Sequence, residues 1–151
     1  MGETKTQATA RYGQPFNTRG QFAYYKHDGF VVLEWYNANG RAEVVCYFKL
    51  SGNITETESE RICRANFPDS IRSDDWTEQT DPDPNCRLWA TADGAWEYER
   101  GVSQIGQNRY SSLMVGTIRG AQQMIAQLNP QQGSGRDEDG RTTEIREDGD
   151  I

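Results

Sequence analysis

The sequence predicts an α+β domain built on an antiparallel β-sheet, and three observations carry that prediction. Asp28-Gly29, Asn39-Gly40 and Asp93-Gly94 are two-residue turn signals between runs of β-branched and aromatic residues. Thr55 with Glu58 forms a capping-box pattern ahead of a short helical segment. From Tyr110 onward the apolar residues recur at spacings of four and three, the period of one helix face. The order read is β-β-β-α-β-β-α: a three-strand meander plus a hairpin, packed by a C-terminal amphipathic helix.

Each element follows from local chemistry. Strands are expected over 21–27, 30–37 and 41–49, joined by the first two turns. The helix capped by Thr55 runs to about Asn66 and stops before Phe67-Pro68, because a proline disfavours helical backbone in the residue before it. Residues 68–86 read as a polar connection anchored by Ile71 and Trp76, and strands over 87–92 and 95–100 form the second hairpin. Tyr110, Met114, Ile118, Ala121, Ile125 and Leu128 make one helical stripe that Asn129-Pro130 ends. A strand over 112–118, with the helix beginning at Arg119, is the rival reading; the longer helix is adopted. Residues 1–20 read as a flexible arm, 21–130 as a single domain and 131–151 as a disordered acidic tail.

Two-residue loops fix register, and register fixes faces. Lys26, Tyr24 and Phe22 should oppose Val31, Leu33 and Trp35, which in turn oppose Phe48, Cys46 and Val44. One face then collects a core for the C-terminal helix to cover. The opposite face carries Tyr25, Phe30, Val32, Tyr36, Val45 and Tyr47, with His27, Glu34, Glu43 and Lys49 around them. A face meeting only water should be polar, and this one is not. In the second hairpin, Trp89, Trp96 and Tyr98 share one face, and Glu97, Glu99, Leu88 and Ala90 the other. The second apolar face is either covered, by the short helix, the 68–86 loop or a second copy, or it is a binding platform. The strand preference of aromatic and β-branched residues weighs toward cover.

Charge narrows the partners. The chain of 151 residues carries a formal charge of −7, with an excess of basic groups confined to residues 1–49. An acidic body repels phosphate backbones. No apolar run is long enough to cross a bilayer, and Cys46, Cys63 and Cys86 have no C-x-x-C spacing, so a cytoplasmic protein with reduced thiols is expected.

No signature of catalysis or cofactor binding appears. His27 is the only histidine, and no G-x-S-x-G elbow accompanies it. One histidine with three scattered cysteines does not match a zinc site. Glu97 and Glu99, near Asp93, could serve acid–base chemistry, but a polar strand face predicts the same residues. Asp74, Asp75, Asp81 and Asp83 lack the spacing of a calcium loop. No phosphate-cradling glycine motif occurs. No catalytic residue, metal or cofactor is therefore assigned.

The layout over residues 21–128, with the small size and low pI, resembles that of type III secretion chaperones. The resemblance is one of layout without a shared motif, and it implies a dimeric chaperone or adaptor without assigning roles to individual residues. The expected function is a non-catalytic interaction module that binds a protein partner, or its extended segment, through Tyr25, Phe30, Val32, Tyr36, Val45 and Tyr47, with a homodimer as one arrangement. The alternative is a single-stranded nucleic-acid binder that stacks bases on Tyr25, Phe30, Tyr36 and Tyr47, contacts phosphates with Lys26, Arg41 and Lys49, and carries an acidic tail. An enzyme is the third and weakest reading.

Overall fold

All eight strands of the computed structural model, which describes residues 1–128, belong to one antiparallel sheet with helices on both faces. In chain order the elements are α1 (Lys5–Tyr12), β1 (Asn17–Arg19), β2 (Phe22–His27), β3 (Phe30–Tyr36), β4 (Ala42–Lys49), α2 (Glu56–Asn66), β5 (Trp76–Gln79), β6 (Arg87–Thr91), β7 (Trp96–Ile105), β8 (Asn108–Thr117) and α3 (Ile118–Leu128). The spatial order is β1-β2-β3-β4-β8-β7-β6-β5, so β8 sits at the centre and bonds to both β4 and β7.

The expected register holds in the meander. Phe22 pairs with Trp35, Tyr24 with Leu33 and Lys26 with Val31; Trp35, Leu33 and Val31 pair with Val44, Cys46 and Phe48. Asp28 and Gly29 both take positive φ (56° and 82°), as a type I′ turn requires. The second turn is looser. The Asn37 side-chain oxygen accepts from the Asn39 and Arg41 N–H groups, and the register shifts between Trp35 and Tyr36.

The order differs from the expected β-β-β-α-β-β-α in three places. Residues 1–20, expected as a flexible arm, form α1 and β1. The Thr4 hydroxyl accepts from the Gln7 N–H while the Gln7 side chain accepts from the Thr4 N–H, a complete capping box. The 68–86 connection contains a short 3-10 turn (Ser73–Asp75) and edge strand β5. The long helix from Tyr110 is corrected: residues 108–117 are a strand, and the helix begins at Ile118. The cause is a tight turn at Gly106-Gln107 (Gly106 φ 63°), which returns β7 into β8 and gives that segment ladder partners on both sides. The 131–151 tail lies outside the described residues.

Two cores result. On one face α3 lays Ala121 and Met124 over Tyr24, Val31, Leu33, Trp35, Val44, Cys46 and Phe48, the face expected for it. The Trp35 indole N–H donates to Gln127 at 2.9 Å and ties the sheet to that helix. On the other face α1 (through Ala8 and Tyr12) and α2 (through Ile62, followed by Phe67) cover the second apolar set. Thr55 and Glu58 cap α2 as expected. Among the described residues, no helix is long and apolar enough to cross a membrane.

Candidate functional site

The six residues expected to form a binding face lie beneath α1 and α2. Tyr25, Phe30, Val32, Tyr36, Val45 and Tyr47 are all buried, the most accessible of them at 7%. Cover therefore comes from the chain's own helices. Of the cations expected near this face, Lys49 is held by Glu58 at 2.7 Å, and Arg41 donates to the Gly2 carbonyl at 3.2 Å.

Beneath α1 this core is polar as well as apolar. The Tyr12 and Tyr47 hydroxyls lie 3.0 Å apart, and the Asn66 amide donates to Tyr47. The Tyr25 and Tyr36 hydroxyls lie 3.1 Å apart, and Tyr36 donates to Glu34 Oε1 at 2.7 Å. Glu34 is wholly buried, and its Oε2 has no donor. Burial, then the adjoining Glu3 carboxyl, pushes Glu34 up to about 8. Glu3 in turn pairs with Arg11 of α1 at 3.1 Å. Desolvation also raises Tyr12 and Tyr36, so these phenols stay protonated hydrogen-bonding groups.

The same sheet face continues past α2 toward β5, and there it is only half covered. Trp89 of β6 stacks on Tyr98 of β7 at 4.7 Å with 16° between the rings. Tyr98 meets Trp76 of β5 edge-on at 4.8 Å, and Trp76 meets Phe67 at 4.9 Å. The Arg87 guanidinium lies over the Trp89 ring at 5.0 Å while its other side pairs with Glu78 of β5. Strand alternation explains the terrace: Trp76 and Glu78, Arg87 and Trp89, Trp96, Tyr98 and Arg100 project from one face. The sequence grouped Trp89, Trp96 and Tyr98 correctly. It gave no pairing for Trp76, because β5 is too short and polar to read as a strand.

On the reverse face, Glu97 and Glu99 lie side by side with Asp81 of the loop after β5. Burial, then the hydrogen bond and charge of Asp81, shift Glu99 up to about 8. Cys86 packs directly against Gly101, which leaves no room there for a side chain. Cys46, Cys63 and Cys86 are free thiols, and burial raises all three, to about 12, 12 and 11. Such thiols are poor nucleophiles. His27 is exposed at the first turn, its ring 5.3 Å from that of Tyr12. Among the described residues, no three His, Cys, Asp or Glu side chains are grouped to hold a metal ion.

Sequence reasoning missed Glu3, Arg11 and Tyr12 because residues 1–20 were read as an arm. The readable signal was the Thr4–Gln7 capping box followed by Ala8 and Tyr12 four residues apart. Comparison with protein-family models, with curated proteins and with solved structures gives no match.

Proposed function

We propose that this protein is a non-catalytic protein-binding module that takes an extended, basic segment of a partner along the β5 edge. The carrying observation is the partly buried terrace of Trp76, Trp89 and Tyr98 beside a sheet edge that is unpaired among the described residues. Alternate residues of an edge strand turn their N–H and C=O groups outward, and an added strand satisfies them. Its side chains on the terrace side would pack against Trp76 and Trp89, flat rings that add contact area at low entropic cost.

Charge selects the occupant. Residues 68–86 carry six carboxylates against Arg72 alone, so β5 is flanked by negative charge. A segment bearing Lys or Arg is attracted, and a second copy of β5 is repelled.

The test titrates a short peptide alternating Lys and Val, and a control alternating Glu and Val, while following tryptophan emission and backbone amide resonances. The basic peptide should shift the β5 amides and leave β1, the other edge, unmoved. Its affinity should fall with salt, and Trp89→Ala should weaken it by about tenfold or more. The acidic peptide should not bind. No response to the basic peptide at low salt, or a response that bypasses β5, overturns the reading. β5 shifts that follow protein concentration alone would assign the edge to a second copy instead.

A further inference from the structure

At the opposite end of the sheet from β5, a carboxyl group is buried where no solvent and no lysine or arginine of its own strand can reach it. Glu34 stands in the middle of β3, flanked by Ala23 of β2 and Val45 of β4, and it is fully enclosed. Oε1 accepts from Tyr36, but Oε2 has no donor. What adjoins the carboxyl from above is another carboxyl, that of Glu3. Two carboxylates in contact without water repel strongly, whereas one proton between them converts the pair into a short, strong hydrogen bond.

We propose that residues 1–12 are a proton-held cover over the tyrosine face, closed while the enclosed Glu34 carboxyl keeps its proton and released when that proton leaves. The inference is independent of the β5 reading, which concerns the far edge of the sheet.

The remaining grip of this segment is the Tyr12–Tyr47 hydroxyl pair, Arg41 on the Gly2 carbonyl, Lys5 over the Tyr36 ring and a short backbone anchor. The Gly2 N–H donates to the Ala42 carbonyl at 2.8 Å, and the Ala42 N–H donates to Glu3 at 2.9 Å, an anchor two residues long. α1 itself buries only Ala8 and Tyr12. Gly13 (φ 93°) ends α1 and gives a pivot where a side chain would be strained. An eight-residue helix is marginal without its tertiary contacts, so release from the sheet also melts it.

The groups facing Glu34 are identifiable on every element around it. The segment before α1 brings Glu3 and the Met1 amino group, and α1 brings Arg11, Tyr12 and Lys5, whose ammonium lies 5.5 Å from the centre of the Tyr36 ring. Tyr25, Tyr36 and Tyr47 come from β2, β3 and β4, and all are protonated phenols raised by burial. Arg11 opposes the switch by favouring ionised carboxylates, but its guanidinium is engaged by Glu3. When both carboxylates ionise, Arg11 and the Met1 amino group are the cations that face them, and Glu34 Oε2 still has no donor. The net result is an enclosed Glu34 charge with an unsatisfied oxygen, located between the cover and the sheet rather than within the sheet. Opening would bare Tyr25, Tyr36 and Tyr47 while α2 and α3 stay docked.

Amide resonances of the full chain, followed from about pH 6 to about pH 9, test this. The α1 amides should lose their helical shifts in one transition while those of α2, α3 and β8 stay in place. Glu34→Gln supplies a neutral donor to Glu3 in place of the Glu34 proton. It should keep α1 docked through the whole range, or move the transition by more than about one pH unit. Glu3→Gln does the same from the more accessible side and serves if Glu34→Gln does not fold. An α1 that stays helical throughout in the unsubstituted protein overturns the proposal. So does loss of α1 together with α2 and α3, or a transition unmoved in both variants.

Discussion

The Tyr12 hydroxyl lies 3.0 Å from the Tyr47 hydroxyl, joining α1 to the fourth strand across thirty-five positions of sequence. Tyr47 also accepts from Asn66 of α2, so one phenol links both helices that cover this face. Removing each hydroxyl should therefore have unequal effects. Tyr12→Phe leaves Tyr47 with Asn66 and should cost about 1 kcal/mol. Tyr47→Phe leaves the Tyr12 hydroxyl without its tyrosine partner and Asn66 with only the Ile62 carbonyl, and should cost about 2 kcal/mol. Urea unfolding of the two variants gives the comparison, and equal losses would show that the network does not converge on Tyr47.

The central strand should be the least tolerant of added volume. A Cβ at Gly116 would lie 2.6 Å from the Glu43 carbonyl and 3.1 Å from Val44 Cα, both backbone atoms that cannot turn aside. Gly116→Ala should destabilise by about 2–3 kcal/mol. A Cβ at Gly101 would instead overlap the Cys86 sulfur and lie 3.0 Å from the Asn85 carbonyl, both at the end of the loop before β6 rather than in a central strand. Gly101→Ala should cost less, about 1 kcal/mol, and should make Cys86 react faster with a thiol reagent. Slow, unchanged Cys86 labelling in that variant would show that the loop does not give way.

These two glycines bear on how far the sequence could be read. The meander was legible because Asp-Gly and Asn-Gly turns announce both position and register, and the Phe22–Trp35–Val44 row followed from counting. β8 was not. Tyr110, Met114 and Ile118 are four residues apart, and a spacing of four satisfies a strand face as well as a helix stripe. Only Gly106-Gln107, a pair with no Asn or Asp to mark it, separated the two. The terrace was half legible: alternation put Trp89, Trp96 and Tyr98 together, but nothing local placed Trp76 across from Thr91. Glu34 was illegible as a buried group, because a glutamate in a strand ordinarily reads as a solvent-facing residue. Its burial depends on a helix whose own sequence is weakly apolar.

The loop carrying Asp81 gives a pH dependence whose sign can be worked out. Burial first, and then Asp81, raises Glu99 from its ordinary 4.5 to about 8, so the folded protein holds more protons than the unfolded chain between those values. Stability contributed here is complete below about pH 4.5 and declines as pH rises through about 8. Glu99→Gln removes the titrating group and keeps a donor for Asp81. Denaturation midpoints across that interval should fall with pH in the unsubstituted protein and fall less in the variant. Parallel curves would show that Glu99 does not hold the extra proton.

Glu43 should give the opposite slope, and its position at the base of α3 explains why. Burial alone would raise its carboxyl, but donors from three directions outweigh burial and hold it below the usual range: Asn37, Thr117 at 2.8 Å and Arg119 at 3.2 Å. Thr117 in turn accepts from the Gly120 N–H at 2.8 Å, so the carboxylate reaches the first turn of α3 through a hydroxyl. A depressed carboxyl contributes stability that is present above its ordinary 4.5 and lost as pH falls through its folded value. Glu43→Gln should flatten the acid limb of the stability profile and leave the alkaline limb set by Glu34 and Glu99. Glu43→Ala strands the Asn37 and Thr117 donors and should cost about 2–3 kcal/mol at neutral pH. Because the anchor serves α3, the α3 amides should exchange faster in Glu43→Ala while those of α1 and α2 do not. Uniform acceleration across all three helices would show that Glu43 supports the sheet as a whole rather than the docking of α3.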